Sequence, residues 1–152
     1  MAWLPKNCVV VPFDFSEQAE QALDSAQIFA AGVTSLHVVH VLPTIELAEP
    51  GVIWETIDDD ARRRHVEAAF REQFAKTPFE KVDFQVRFGD PGREIAALAE
   101  ALKAELIVMP SHGRRGLGRL FLGSVAERVL RLAQCPVMVI KTHHATAKVK
   151  QA

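Results

Sequence analysis

Short apolar segments alternate with amphipathic segments along the chain, and this alternation constrains the fold more than any other feature of the sequence. Five segments have the composition of strands, and most of the segments between them carry apolar residues at the spacings of three and four that are typical of helices. The predicted strands span residues 8–13, 36–41, 82–88, 106–109 and 136–140. We therefore predict an α/β fold with a single domain, a Rossmann-like, doubly wound sheet of five parallel strands in the order 3-2-1-4-5.

Four amphipathic segments predict the helices that cover this sheet. The first begins at a Ser16 cap and ends at Gly32, the second spans residues 57–75, and the third begins at an Asp90 cap. In the second helix the predicted core stripe is Val66, Ala69, Phe70 and Phe74, and in the last helix it is Val125, Val129 and Leu132. Ser124 is followed three residues later by Glu127, which is the pattern of a capping box, so Ser124 is the expected N-cap.

Length and charge narrow the classes of function. With 152 residues and 49% hydrophobic content, the chain suits one domain, placed at residues 1–141, and a flexible tail at residues 142–152 that lacks apolar periodicity. A net charge of −1 gives no general basic surface for nucleic acid. A membrane span or a secretory signal is not expected, so the prediction is a cytoplasmic protein. Cys8 and Cys135 are interpreted as small buried hydrophobes rather than as a disulfide or metal ligands.

A glycine-rich, basic segment at residues 110–124 follows the fourth predicted strand and leads into the last helix. Free N–H groups and the dipole at a helix N-terminus favour a phosphate, and glycines let the backbone approach it. The segment lacks the lysine and the Ser/Thr of a Walker A loop, and Phe121 replaces the third glycine of a dinucleotide fingerprint. An anion site and a structural turn with solvated arginines are both consistent with this segment.

The predicted strand order brings a second segment to the same edge of the sheet. Winding reverses between strands 1 and 4, and ligands of such sheets bind outside the carboxyl ends of the strands at the reversal. Strand 1 ends with Pro12, Phe13 and Asp14, and the glycine-rich segment follows strand 4. We therefore predict one crevice between them, where Asp14 either accepts hydrogen bonds from a ligand hydroxyl or only starts a helix.

Two histidines of the second predicted strand are poor candidates for a shared metal ion. His37 and His40 are three residues apart and therefore lie on opposite faces of a strand. Core or strand-end histidines are the preferred interpretation. The adjacent His143 and His144 of the tail are weak evidence for a metal, so no metal site is predicted.

Several short motifs resemble those of the universal stress protein family, and the resemblance covers residues 9–141. The motifs are residues 11–16 (VPFDFS), 39–41 (VHV), 89–91 (GDP), 111–113 (SHG), 122–125 (LGSV) and 135–137 (CPV). The ATP-binding branch of that family carries Gly-x2-Gly-x9-Gly-Ser/Thr. Gly113, Gly123 and Ser124 fit this motif, but Pro110 stands in place of the first glycine.

The resemblance implies that Asp14 contacts the ribose region and that Val41 meets adenine through its backbone. It also implies a phosphate site, whose residues are Gly113, Gly123, Ser124 and Val125. With the residues that border the crevice and the glycine-rich segment, the full candidate set for cofactor binding is Pro12, Phe13, Asp14, Val41, Met109, Pro110, His112, Gly113, Arg114, Gly123, Ser124 and Val125. The expected cofactor is ATP with Mg²⁺.

Pro110 has two opposing effects on the expected affinity for ATP. Proline removes a backbone donor and adds a ring where the family motif has none, but it also suits the extended end of a strand. His112, Arg114, Arg115 and Arg119 can neutralise phosphate. Both weakened and retained binding are therefore consistent with the sequence.

The leading functional hypothesis is a nucleotide-responsive regulatory module of the stress response that acts through another protein and dimerises through the last strand, Val137 to Ile140. A dimerising scaffold of the same fold that has lost nucleotide binding is the main alternative. A slow ATPase or phosphotransfer protein is the third, since Asp14 is the only evident base. No catalytic residue is assigned.

Overall fold

The computed structural model describes residues 3–45, 58–112 and 122–141. Its elements are β1 (Val9–Pro12), α1 (Glu17–Phe29), β2 (Leu36–Leu42), α2 (Asp59–Gln73), β3 (Asp83–Phe88), α3 (Pro91–Ala101), β4 (Leu106–Pro110), α4 (Ser124–Leu132) and β5 (Val137–Ile140). A short 3₁₀ turn, Val33–Ser35, precedes β2. The strands form one parallel sheet in the order β3-β2-β1-β4-β5. The predicted fold class and strand order are confirmed.

Two apolar cores lie on opposite faces of the sheet. On one face α1 packs on β1 and β4 and α2 packs on β3, and the core residues include Leu23, Phe70 and Phe84. On the other face α3 and α4 pack over residues that include Val39 and Ile107. Central strands that are covered on both faces need continuous apolar runs, which β1 and β4 provide.

Side-chain hydrogen bonds cap the N-termini of three of the helices. Ser16 Oγ accepts a hydrogen bond from Ala19 N–H at 3.1 Å, as predicted for the cap of α1. Asp90 Oδ2 accepts from Arg93 N–H at 2.9 Å, with Pro91 in the first turn of α3, which is also as predicted. Asp58 caps α2.

In the part of the chain that the structure describes, no helix is both long and apolar enough to cross a membrane.

The predicted cap of α4 is wrong by one residue. Gly123 has the extended backbone of an N-cap, and its carbonyl accepts from Glu127 N–H at 2.9 Å. Ser124 is therefore the first helical residue, and its hydroxyl does not cap the helix. The shift leaves the Ser124 side chain exposed at the edge of the sheet where the strands end.

Two predicted core positions are also wrong. Ala69 is exposed because α2 lies over the edge strand β3, and its buried stripe follows Phe70 and Phe74. Leu132 is 40% exposed because the buried stripe of α4 runs through Ala126 and Val129.

Other predicted boundaries differ by only a few residues. Helix α1 ends at Phe29 rather than at Gly32, and β4 continues through Pro110. The cysteines are free thiols, half-buried rather than fully buried. The tail at residues 142–152 lies outside the described residues.

Candidate functional site

A cavity of about 370 Å³ lies at the carboxyl ends of β1, β2 and β4. It is lined by every candidate residue that the structure describes: Pro12, Phe13, Asp14, Val41, Met109, Pro110, His112, Gly123, Ser124 and Val125. The other two candidates, Gly113 and Arg114, lie outside the described residues. The strand 1 turn and the start of α4 thus face each other across one crevice.

Six further lining residues were not among the candidates for cofactor binding. They are Val39, His40, Pro91, Ile95, Ser111 and Ala126. Two of them, Pro91 and Ile95, belong to α3, whose N-terminus lies at the same edge of the sheet because it follows β3 directly. The Asp90–Pro91 start signal could have suggested this placement, whereas nothing in the sequence indicated a contact for His40.

The crevice opens where the pairing between β1 and β4 stops. The two strands pair at Val9 with Leu106 and at Val10 with Ile107. Alternate residues of a strand direct both backbone groups to the same neighbour, and Phe13 N–H points to β2 while Ser111 N–H points to β5. The next ladder donors between β1 and β4 would therefore belong to residues 12 and 110.

Both of these positions are prolines, which have no N–H to donate. Pro12 and Pro110 thus end the ladder from both sides and let β1 and β4 separate at the floor of the cavity. The donor that Pro110 lacks is one that would face β1. Pro110 is therefore both one end of the ladder and part of the cavity lining.

A tight turn after β1 holds the Asp14 carboxylate at the mouth of the crevice. Asp14 Oδ1 accepts a hydrogen bond from Ser16 N–H at 3.0 Å and another from Ser16 Oγ. Between them, Phe15 has a φ of +63°, the left-handed conformation that reverses the chain. The same Ser16 hydroxyl caps α1, so the position of the carboxylate is tied to the helix start.

Gly123 closes the opposite wall of the crevice. Its N–H donates to Ser111 O at 2.7 Å, and Ser111 N–H donates to Ile140 O at 2.9 Å. A Cβ at position 123 would lie 2.9 Å from Ser111 O, so a larger residue would have to displace backbone. This close approach places the N-terminus of α4 beside the end of β4.

The walls of the cavity differ in chemistry. Val41, Ile95 and Met109 contribute apolar side chains to the lining, and the N-terminus of α4 and the His112 imidazole also line it. The positive end of a helix dipole and its free N–H groups favour an anion. The crevice therefore suits a ligand with one apolar part and one anionic part.

His37 and His40 contact different groups. His37 Nδ1 pairs with Asp83 Oδ2 at 2.7 Å, and His40 Nδ1 lies 2.7 Å from Phe13 O. Over residues 3–45, 58–112 and 122–141, no group of three or more His, Cys, Asp or Glu side chains is arranged to hold a metal ion. A magnesium ion that accompanies a nucleotide does not need such a group, because phosphate oxygens and water supply most of its ligands, with one or two carboxylates from the protein.

Comparisons with known proteins all point to one family. The model of the universal stress protein family matches residues 7–141. Universal stress protein MJ0531 of Methanocaldococcus jannaschii is 39% identical over 138 residues, which cover 88% of this chain and 81% of that protein. A universal stress protein of Thermus aquaticus is 31% identical over 137 residues, with coverage of 88% and 97%.

Solved structures share the fold. The structure of MJ0577 from Methanocaldococcus jannaschii has a TM-score of 0.72 at 29% identity and covers 91% of this chain and 98% of its own. UspA of Lactobacillus plantarum has a TM-score of 0.70 at 25% identity, with coverage of 91% and 99%. A universal stress protein in complex with cAMP, at 24% identity and a TM-score of 0.61, is similar in fold.

Proposed function

The chain belongs to the universal stress protein family, and we propose that it is a cytoplasmic regulatory module that binds ATP with Mg²⁺ in the crevice between the β1 turn and α4. The observation that carries this proposal is the juxtaposition of an apolar surface with a helix N-terminus in one cavity of about 370 Å³. Stress-response signalling would follow from the nucleotide-bound state through contact with a partner protein.

In the proposed complex, adenine lies on the apolar surface near Val41 and Met109, and the ribose hydroxyls approach Asp14. The phosphates lie near Gly123 and His112, where the N–H groups of the first turn of α4 are available. Gly113 and Arg114, which lie outside the described residues, complete the proposed phosphate site. Asp14 can accept ribose hydrogen bonds because a carboxylate has about four lone-pair sites.

Regulation by binding is favoured over catalysis. Phosphoryl transfer needs a residue that orients the nucleophile. Among the described lining residues, Asp14 is the only carboxylate, and its Oδ1 already accepts two hydrogen bonds from Ser16. We therefore assign no catalytic residue, and any hydrolysis of ATP would be slow.

A homodimer through β5 is the second part of the proposal. Among the strands that the structure describes, β5 lies at the edge and pairs only with β4, and Val137, Met138, Val139 and Ile140 are all half-buried. The exposed Leu130 and Leu132 of the adjacent α4 add apolar surface. An exposed apolar edge strand favours pairing with a second copy of the chain.

A dimerising scaffold that does not bind nucleotide is the alternative, and the specific observation that favours it is that Pro110, with its added ring, lines the cavity at the position of the motif's first glycine. Calorimetric titration with Mg-ATP and with AMP separates the two functions. Binding of ATP that exceeds that of AMP supports the proposal, and no binding of either supports the scaffold. Repeating the titration with Pro110→Gly measures how much the proline alters the affinity.

A further inference from the structure

The ladder of backbone hydrogen bonds between β1 and β2 ends one bond before the two strands run out of residues that could extend it. Phe13 N–H donates to Val39 O at 2.8 Å, and Pro12 lies opposite Val39. Because alternate residues face the same neighbour, Val41 directs its N–H and C=O toward β1, as Val39 does. One more step of the ladder would send Val41 N–H to Phe13 O.

The Phe13 carbonyl is hydrogen-bonded to a side chain instead. His40 Nδ1 lies 2.7 Å from Phe13 O. A carbonyl oxygen only accepts, so Nδ1 carries the proton and donates. In the described part of the chain, no backbone hydrogen bond joins Val41 N–H to Phe13 O.

The position of the His40 ring is fixed from a second side. The ring packs against Phe15 in a T-shaped arrangement, with the ring centroids 5.2 Å apart. Phe15 is the residue with positive φ in the turn that carries Asp14. The imidazole therefore contacts the β1 turn at two points, through a hydrogen bond and through a ring.

We propose that His40 is a positioning residue that keeps the backbone of Val41 available to a ligand. By donating to Phe13 O, it ends the β1–β2 ladder one bond early and leaves Val41 N–H and C=O facing the crevice. One donor and one acceptor side by side match the edge of a planar nucleobase. The identity of the ligand rests on the proposed function, whereas the arrangement of the backbone does not.

Three substitutions test this role. Asn at position 40 places its amide nitrogen close to the position of Nδ1, Gln places it close to Nε2, and Leu has no donor. The measurements are hydrogen exchange of the Val41 amide in the ligand-free protein, by NMR, and the affinity for Mg-ATP, by calorimetry. The Val39 amide, which faces β1 within the ladder, is the protected internal reference.

In the wild type we expect the Val41 amide to exchange much faster than that of Val39. In His40→Leu, Val41 N–H is free to close onto Phe13 O, so its exchange slows and the affinity for Mg-ATP falls about threefold to tenfold, as for the loss of one hydrogen bond. His40→Asn retains the wild-type behaviour, and His40→Gln behaves like His40→Leu. His37→Asn, which alters the other histidine of β2, leaves Val41 exchange unchanged.

A protected Val41 amide in the wild type would overturn the inference without any variant. Unchanged Val41 exchange in a folded His40→Leu protein, or equal rescue by Asn and Gln, would overturn it as well. If the wild type binds no nucleotide but Val41 responds as expected, the proposed function fails while the role of His40 stands.

Discussion

The N–H of Gly123 donates to the carbonyl of Ser111 at 2.7 Å, which joins the residues on either side of segment 113–121. The two residues can approach this closely because position 123 has no side chain. One backbone bond thus fixes the start of α4 against the end of β4. The proposed phosphate site depends on this contact.

Gly123→Ala is therefore expected to reduce the affinity for Mg-ATP by tenfold or more, because its Cβ would lie 2.9 Å from Ser111 O and displace the wall of the crevice. The stability cost should be about 1–3 kcal/mol, as for overpacking. Gly32→Ala is the matched control, since a Cβ there meets no atom within 4 Å. Calorimetry checks both variants, and equal affinities would exclude this placement of the phosphates.

Asp14→Ala is expected to weaken Mg-ATP binding about threefold to tenfold, through the loss of a hydrogen bond to ribose. The substitution also removes the acceptor of Ser16 N–H, so a control must separate the turn from the ligand contact. Ser16→Ala loses the cap of α1, which costs about 1 kcal/mol, but keeps the carboxylate. If both variants lose affinity equally, Asp14 acts only through the turn.

Phe70→Ala should lower the free energy of unfolding by about 3–5 kcal/mol. Phe70 is fully buried, stacks on Phe84 with centroids 4.0 Å apart, and meets Phe13 edge-on at 5.4 Å. Ile28→Ala, at a side chain that is 75% exposed, should change it by less than about 0.5 kcal/mol. Urea unfolding of the two variants checks the contrast, and similar losses would contradict the assignment of the core.

The strand order was predictable because it follows from the alternation of elements, and the crevice followed from the reversal of winding. Periodicity gives the direction of a buried face but not its width, which is why Ala69 and Leu132 were misplaced. The cap of α4 depends on backbone angles, and both Gly123 and Ser124 are residues that favour an N-cap. The partner of His40 is a carbonyl 27 residues away, for which the sequence holds no local signal.

Met138→Lys is expected to shift the protein from dimer to monomer. Met138 is half-buried on the edge strand β5, and a charge there opposes burial against a second copy. Light scattering at micromolar concentration measures the mass, with Lys103→Met as a control that changes the same residue types away from β5. A wild type that is already monomeric would contradict the proposed interface.

The raised pKa values of the two thiols lead us to expect a loss of stability at alkaline pH. Burial raises the pKa of Cys8 above the ordinary 9.0, with a smaller effect of the Glu105 charge, and burial also raises the pKa of Cys135. A raised pKa in the folded state favours the protonated thiol, so this contribution to stability is complete below pH 9 and is lost as the pH rises through the folded pKa.

Unfolding in urea at pH 7.5 and at pH 10 should therefore show a smaller decrease in stability for the double variant Cys8→Ala/Cys135→Ala than for the wild type. The absence of tyrosine removes one other group that titrates in this range. The thiols should also react slowly with a disulfide reagent at pH 8, because the thiolate is the reactive form. Labelling as fast as that of the urea-unfolded chain would show that neither thiol is shielded by the fold.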